Sequence, residues 1–161
     1  MKTITLTQGK VALVDDEDFE FLSQWKWSIQ KKPHDKYYAR TSIKINGKWR
    51  RVTMHRMILR PQNGRITDHI NNNGLDNRRC NLRCCNQSQN LQNRTNQPHS
   101  SRFKGVSWVA NRKRWLAAIC VEGKRINLGR FIGEDEAAKA YDRAAKCHFG
   151  SFANTNFSEA I

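Results

Sequence analysis

The chain has 161 residues, 38% of them hydrophobic, which leaves room for one compact domain or, better, two small ones with modest cores. Its formal charge of +15 makes a polyanion the expected partner, nucleic acid foremost, ahead of a merely soluble basic protein or a membrane-surface binder. No run approaches the roughly 18 apolar residues of a membrane span, and the start, "MKTITLTQGK", lacks the apolar stretch of a signal peptide, so a cytoplasmic, non-secreted protein is expected. Five cysteines, an odd number, argue against a disulfide framework and suit reduced thiols. "CNLRCC" is one unpaired cluster where structural zinc needs paired ligands, so no structural zinc is expected.

From the N-terminus, "TITLTQGKVALV" alternates about a Gln8-Gly9 turn, a hairpin pattern, and "DDEDFEFLSQW" opens with carboxylates suited to the positive end of a helix dipole. Beyond Pro33, "KYYARTSIKINGKWRRVTM" predicts two strands joined at Asn46-Gly47, a pair that favours the positive φ of a tight turn. Trp25, Trp27 and Trp49 read as core of this first sheet. "MHRMIL" spaces Met54, Met57 and Ile58 as a short helix closed by Pro61, and His55 within it reads as a surface or packing residue.

The centre, "TDHINNNGLDNRRCNLRCCNQSQN", holds one Asp-His pair and seven asparagines. "RITDHI" predicts a short strand, "NLRCC" a second, and "NQSQNLQNR" a helix begun by Asn86 or Ser88, with Asn90 in its first turn. Asn71 to Asn73 span the hairpin, Asp76 and Asn77 close an Asx-type turn that shapes the loop, and Cys80, Cys84 and Cys85 read as small buried packing residues. "NRTNQPHSS" is linker-like.

A second domain opens near Ser101 with three strand-like runs, "FKGVSWVA", "RWLAAICVEG" and "KRINLGRF". Ala137, Ala140, Tyr141, Ala144, Ala145 and His148 then recur at helical spacing behind Glu134, Asp135 and Glu136. Three antiparallel strands backed by one amphipathic helix are expected. Arg102 to Arg130 carries eight Lys or Arg against Glu122 alone, whereas Glu134 to His148 carries three basic residues against four acidic ones. The sheet, not the helix, is therefore the face that meets phosphate, and a small sheet can enter the major groove of duplex DNA.

These residues resemble the ethylene-response-factor (Apetala-type) DNA-binding domain over roughly residues 102–157, through "FKGV", "RWLAAI", "RINLG" and "AAKAYDRAA". The resemblance implies DNA contacts from Lys104, Ser107, Arg112, Arg114, Trp115, Arg125 and Asn127. Ser107 stands where plant members usually carry Arg, and Asn127 where they usually carry Trp, so the plant recognition sequence does not transfer.

Hydrolysis of a phosphodiester needs a base to deprotonate water, a cation to stabilise the leaving oxygen, and a scaffold for both. Asp68 can offer a hard oxygen ligand to Mg2+ or Mn2+, His69 a base that titrates near neutrality, Asn90 a neutral oxygen, and Asn81 an orienting amide. Strand alternation puts Asp68 and His69 on opposite faces unless the strand ends there. Arg78, Arg79 and Arg83 read as phosphate clamps.

"DHINNNGLDNRRCNLRCCNQSQN" resembles the HNH endonucleases of the phage and intron-encoded homing branch, with Asn81 twelve and Asn90 twenty-one residues after His69. The resemblance extends over most of residues 1–95. It implies His69 as general base, Asp68 and Asn90 as ligands of one divalent metal, and Asn81 as the brace of the loop. The fold class expected is α+β: a small β-rich region leads into a β-β-α metal module, followed by a three-stranded antiparallel sheet packed on one α-helix. The expected layout is a nuclease domain over 1–94 with its core at about 65–94, a linker over 95–101, and the DNA-binding domain over 102–157. The function expected is metal-dependent nicking or cleavage of double-stranded DNA, with homing implied by likeness alone. A single metal site suits a nick, and a double-strand break would need a homodimer or two successive events. The competing expectation is a sequence-specific transcriptional regulator with an idle nuclease fold; RNA binding lacks a stacking motif to support it.

Overall fold

The computed structural model describes residues 1–94 and 100–157 as a mixed α/β chain of small antiparallel sheets with a few helices. The linker expected at 95–101 falls mainly on residues 95–99, outside the described residues. Two compact units emerge, Met1–Gln87 and Ser88–Ile161.

In the first unit, β1 (Lys2–Thr5) and β2 (Val11–Val14) pair antiparallel, and Gln8 and Gly9 turn the chain at φ 62° and 65°. Helix α1 (Asp16–Ser23) opens on three carboxylates, Asp16, Glu17 and Asp18, and the indole of Trp27 donates to Leu22 O at 2.8 Å beyond its end. Strands β3 (Ser28–Lys32), β4 (Lys36–Ile45) and β5 (Lys48–Thr53) form a sheet in that order, β4 and β5 joined through Asn46 and Gly47 at φ 48° and 76°. Strand β3 has no counterpart in the sequence expectation. "SIQKK" lacks a turn signal of its own, and distant groups hold it: Ile29 N donates to Thr7 Oγ1 at 3.0 Å and Trp27 bridges to Leu6. Helix α2 (Met54–Leu59) ends at Arg60, in the left-handed region before Pro61.

Val14, Leu22 and Met54 are fully enclosed in the first core, each burial stabilising the fold by about 2 kcal/mol. Trp27 is buried there and Trp25 packs against it, but Trp49 is 72% exposed, so its expected core role is corrected. Strands β6 (Ile66–His69) and β7 (Leu82–Cys85) then pair antiparallel, followed in sequence by α3 (Gln87–Gln92). Of the three cysteines expected to pack, Cys85 is buried, Cys84 half-buried and Cys80 exposed.

In the second unit, β8 (Val106–Val109), β9 (Arg114–Val121) and β10 (Lys124–Phe131) form a sheet with β9 central, and α4 (Glu134–Phe149) packs on one face. Ala137, Ala138, Ala140 and Ala145 are buried, small enough to bring the helix close to the strands; His148, expected on that stripe, is exposed. Gly105 sits at φ +74° with the Tyr141 ring where a Cβ would project, so only glycine fits. Asp142, one of the four acidic residues of the helix segment, is buried and accepts from Asn156 N at 2.8 Å and Phe157 N at 2.9 Å. Asn156 Oδ1 accepts in turn from Lys104 N at 2.6 Å, which ties the end of the domain to its beginning.

Candidate functional site

Strand β6 ends on Asp68 and His69, 8% and 4% exposed, and the two have separate partners. Asp68 lies across the hairpin from Arg83, whose Nε and Nη2 both donate to its Oδ2 at 3.0 and 2.9 Å. His69, the last residue of the strand, packs its ring 4.8 Å from His55 and 5.8 Å from Tyr38. Tyr38 packs on the His69 ring and also feels the Asp68 charge.

His69 Nε2 lies 3.3 Å from Asn77 Oδ1. An amide oxygen only accepts, so this contact is a hydrogen bond in the tautomer with the proton on Nε2 and the ring's lone pair on Nδ1. Burial lowers the His69 pKa from its ordinary 6.5, against opposing pulls from the Asn77 bond and the Asp68 and Asp76 carboxylates. A neutral imidazole able to accept a proton is therefore the ground state near neutral pH. His55 is more extreme: burial, with smaller contributions from His69 and Arg56, lowers it to about 3. Its Nε2 pairs with Thr53 Oγ1 at 3.0 Å, while its Nδ1 is buried without a partner. His55 is thus a packing residue against the His69 ring; the surface alternative is corrected. Burial, helped by the Asp68 charge, raises the Tyr38 pKa.

The loop from Ile70 to Asn81 presents Asn77. Leu13 of β2 binds it from below, donating to Leu75 O and accepting from Asn77 N, each at 2.8 Å. Asn81 closes it: Oδ1 accepts from Asn71 N at 3.0 Å and Nδ2 donates to Asp76 O at 2.8 Å. Gly74 passes so close to Tyr37 and Tyr38 that a Cβ has no room. Sequence reasoning gave Asn77 a turn-shaping task, which is corrected: it is fully buried and faces His69. No local pattern marks such a residue, because Leu13, far away in sequence, sets its position.

The loop arginines are held by carboxylates of their own unit. Arg78 makes two bonds of 2.7 Å to Asp76, a pairing that lowers the Asp76 pKa and raises that of Arg78. Arg79 binds Asp18 at 2.7 and 2.8 Å and Glu17 at 2.6 Å. Together with the Arg83–Asp68 pair, these internal partners are what the expectation of three phosphate clamps did not include. Asn90 is the fourth residue of α3 and belongs to the second unit, while Asp68, His69 and Asn81 belong to the first. Among the described residues no three His, Cys, Asp or Glu side chains cluster as metal ligands.

In the sheet of the second unit, Val106, Ala117 and Ile119 are buried toward the helix. Register then places Ser107, Arg114, Leu116, Ala118, Cys120, Arg125 and Asn127 on the opposite face. A bulge between Asn127 and Gly129 shifts the alternation by one, bringing Arg130 to that face opposite Leu116. Asn127 Oδ1 accepts from Gly129 N at 3.0 Å and so braces the bulge. Arg112 is exposed in the turn before β9.

Two of the expected DNA contacts have partners inside the second unit. Trp115 pairs across strands with Trp108 at 5.0 Å and packs on the helix side. Lys104 points its Nζ to Gln92 O, and burial, with the Arg94 charge nearby, lowers its pKa to about 8.

Residues 101–151 match the model of the AP2 domain. An uncharacterised HNH endonuclease of Acanthamoeba polyphaga mimivirus is 29% identical over 144 residues, covering 86% of this chain and 74% of that protein. An AP2/ERF and B3 domain-containing protein of Oryza sativa subsp. japonica is 48% identical over 61 residues, 38% of this chain. An APETALA2-like protein of Oryza sativa subsp. indica is 41% identical over 59 residues, 37% of this chain. The chain spans only 16% and 14% of these two plant proteins. It carries an AP2 domain at residues 101–151 and is related over most of its length to a viral protein named as an HNH endonuclease.

Proposed function

We propose that the protein is an HNH-type endonuclease that nicks or cleaves double-stranded DNA, positioned by the outer face of its AP2 sheet. The observation that carries this reading is the buried His69, with Nε2 held by Asn77 and Asp68 beside it in the chain. In this reading His69 Nδ1 takes a proton from the water that attacks phosphorus, and the bond to the 3′ oxygen breaks. Asn81 keeps the loop closed so that Asn77 holds the ring.

The carboxylate of Asp68 is a hard oxygen donor, suited to a divalent ion that keeps most of its waters, and would hold it. Such an ion, Mg2+ or Mn2+, would stabilise charge on the leaving oxygen. Outward-facing Ser107, Arg114, Arg125 and Asn127, with Arg112 and Arg130, would meet the duplex.

One observation favours a second reading, a DNA-binding regulator with an idle nuclease fold: Arg83 already occupies Asp68 Oδ2. The two are separated by a plasmid-nicking assay with Mg2+, with EDTA, and with His69→Ala. The expected result is conversion of supercoiled to nicked plasmid by wild type with Mg2+, abolished by EDTA and reduced at least about a hundredfold by His69→Ala. Intact plasmid in every lane, with DNA still shifted in a gel, selects the regulator.

A further inference from the structure

The β4–β5 hairpin outgrows the sheet it belongs to. Strand β3 pairs with β4 only as far as Arg40, while the β4–β5 register runs on from Arg40↔Thr53 to Ile45↔Lys48. Beyond Thr41 the pair is therefore a two-stranded ribbon. Ala39 and Thr41 are buried, but Ser42, Lys44 and every residue from Ile45 to Arg51 are exposed. Such a ribbon has little core to stabilise it, and Trp49 near its tip is 72% exposed, an unusual site for the largest apolar side chain.

Its charge is one-sided in sign and two-sided in space. Between Asp35 and Asp68 the chain has no carboxylate and nine Lys or Arg. Lys44 opposes Trp49 and Ser42 opposes Arg51 on one face of the ribbon; Ile45 opposes Lys48 and Ile43 opposes Arg50 on the other. No ion pair engages Lys44, Lys48, Arg50 or Arg51 among the described residues, in contrast to the arginines of the 70–81 loop. The ribbon thus gathers four exposed cations of the first unit, Lys44, Lys48, Arg50 and Arg51, within one short hairpin.

We propose that the β4–β5 ribbon is a second contact for duplex DNA, separate from the β8–β10 sheet. A two-stranded ribbon fits the major groove, and cations on both faces can meet the phosphate chains on both sides. Trp49 then packs its ring against the groove wall and is removed from water. This deepens the DNA-directed reading above, on which it rests, by giving the first unit its own hold on the substrate.

The test uses the full chain, a fluorescently labelled mixed-sequence duplex, EDTA to prevent cleavage, and a series of salt concentrations. Lys44→Ala/Arg51→Ala is expected to weaken binding and to flatten the slope of log affinity against log salt by about two. Trp49→Ala is expected to weaken binding several-fold at fixed salt with the slope kept. These side chains are exposed, so thermal melts should match wild type. Wild-type affinity and slope in both ribbon variants overturn the inference. If wild type and the ribbon variants bind alike while Arg114→Ala/Arg125→Ala loses binding, the ribbon is excluded and the DNA-directed reading stands. If wild type binds no duplex at all, that reading falls and takes the ribbon with it. Binding losses confined to anionic lipid vesicles, with duplex binding intact, also overturn the inference in favour of a membrane-surface role.

Discussion

His55 and His69 are two imidazoles in contact inside a small core, and both are held below the usual histidine range, chiefly by burial. For the base proposed at His69 this is useful, because the ring is neutral at neutral pH. For the fold it is a liability with a defined sign. His55 titrates at about 3 when folded and near 6.5 when unfolded, so below pH 6.5 the unfolded chain binds the proton that the native state refuses. The stability contributed by keeping this ring neutral is complete above 6.5 and lost as pH falls through the window toward 3. The slope is at most about 1.4 kcal/mol per pH unit for this one residue, and His69 adds in the same direction. Urea midpoints of wild type should therefore fall between about pH 6 and pH 4, and His55→Gln, which cannot titrate, should flatten that fall. An equal fall in the variant would assign the acid sensitivity to other groups.

The element that matters most is the β6–β7 hairpin with its loop, and Asn81 is its fastener. Asn81→Ala leaves the part-buried Asn71 N and the buried Asp76 O without their partners, a loss of about 1–3 kcal/mol, most of it at Asp76. It should lower the urea midpoint and, by releasing Asn77 from His69, the nicking rate; Asn81→Asp, which keeps the acceptor and loses the donor, should fall between. Unchanged stability in Asn81→Ala would remove it from the loop's support. Elements whose signal is local were legible in sequence: the Asn46-Gly47 turn, the acidic start of α1, the alternation of β8 to β10 and the alanine stripe of α4. What escaped depends on distant partners. Strand β3 is held through Thr7 and Leu6, Asn77 is placed by Leu13, and the tasks of Arg78 and Arg79 are set by Asp76 and Asp18. Trp49 escaped for the opposite reason: strand propensity gave it a face to pack on, but the sheet stops short of it.

At the scale of the whole molecule the formal charge of +15 overstates what is offered to DNA. Arg78, Arg79 and Arg83 are paired with Asp76, Asp18 and Asp68, carboxylates that are themselves nearly buried. Releasing such an arginine to a phosphate would strand a buried anion, so these cations act on the fold. The outer sheet face differs: register gives it Arg114, Arg125 and Arg130, and no carboxylate shares it. Each phosphate contact contributes about 0.9 to the slope of log affinity against log salt. Arg114→Ala/Arg125→Ala should therefore reduce that slope by about two. Arg78→Ala/Arg79→Ala should leave the slope as in wild type and instead lower the thermal midpoint, because Asp76 and Asp18 lose their counter-charges. Were the loop variant to flatten the slope and the sheet variant to leave it alone, the two assignments would be exchanged. The arginines named first by the sequence would then be the ones that grip the backbone, at the expense of their carboxylates.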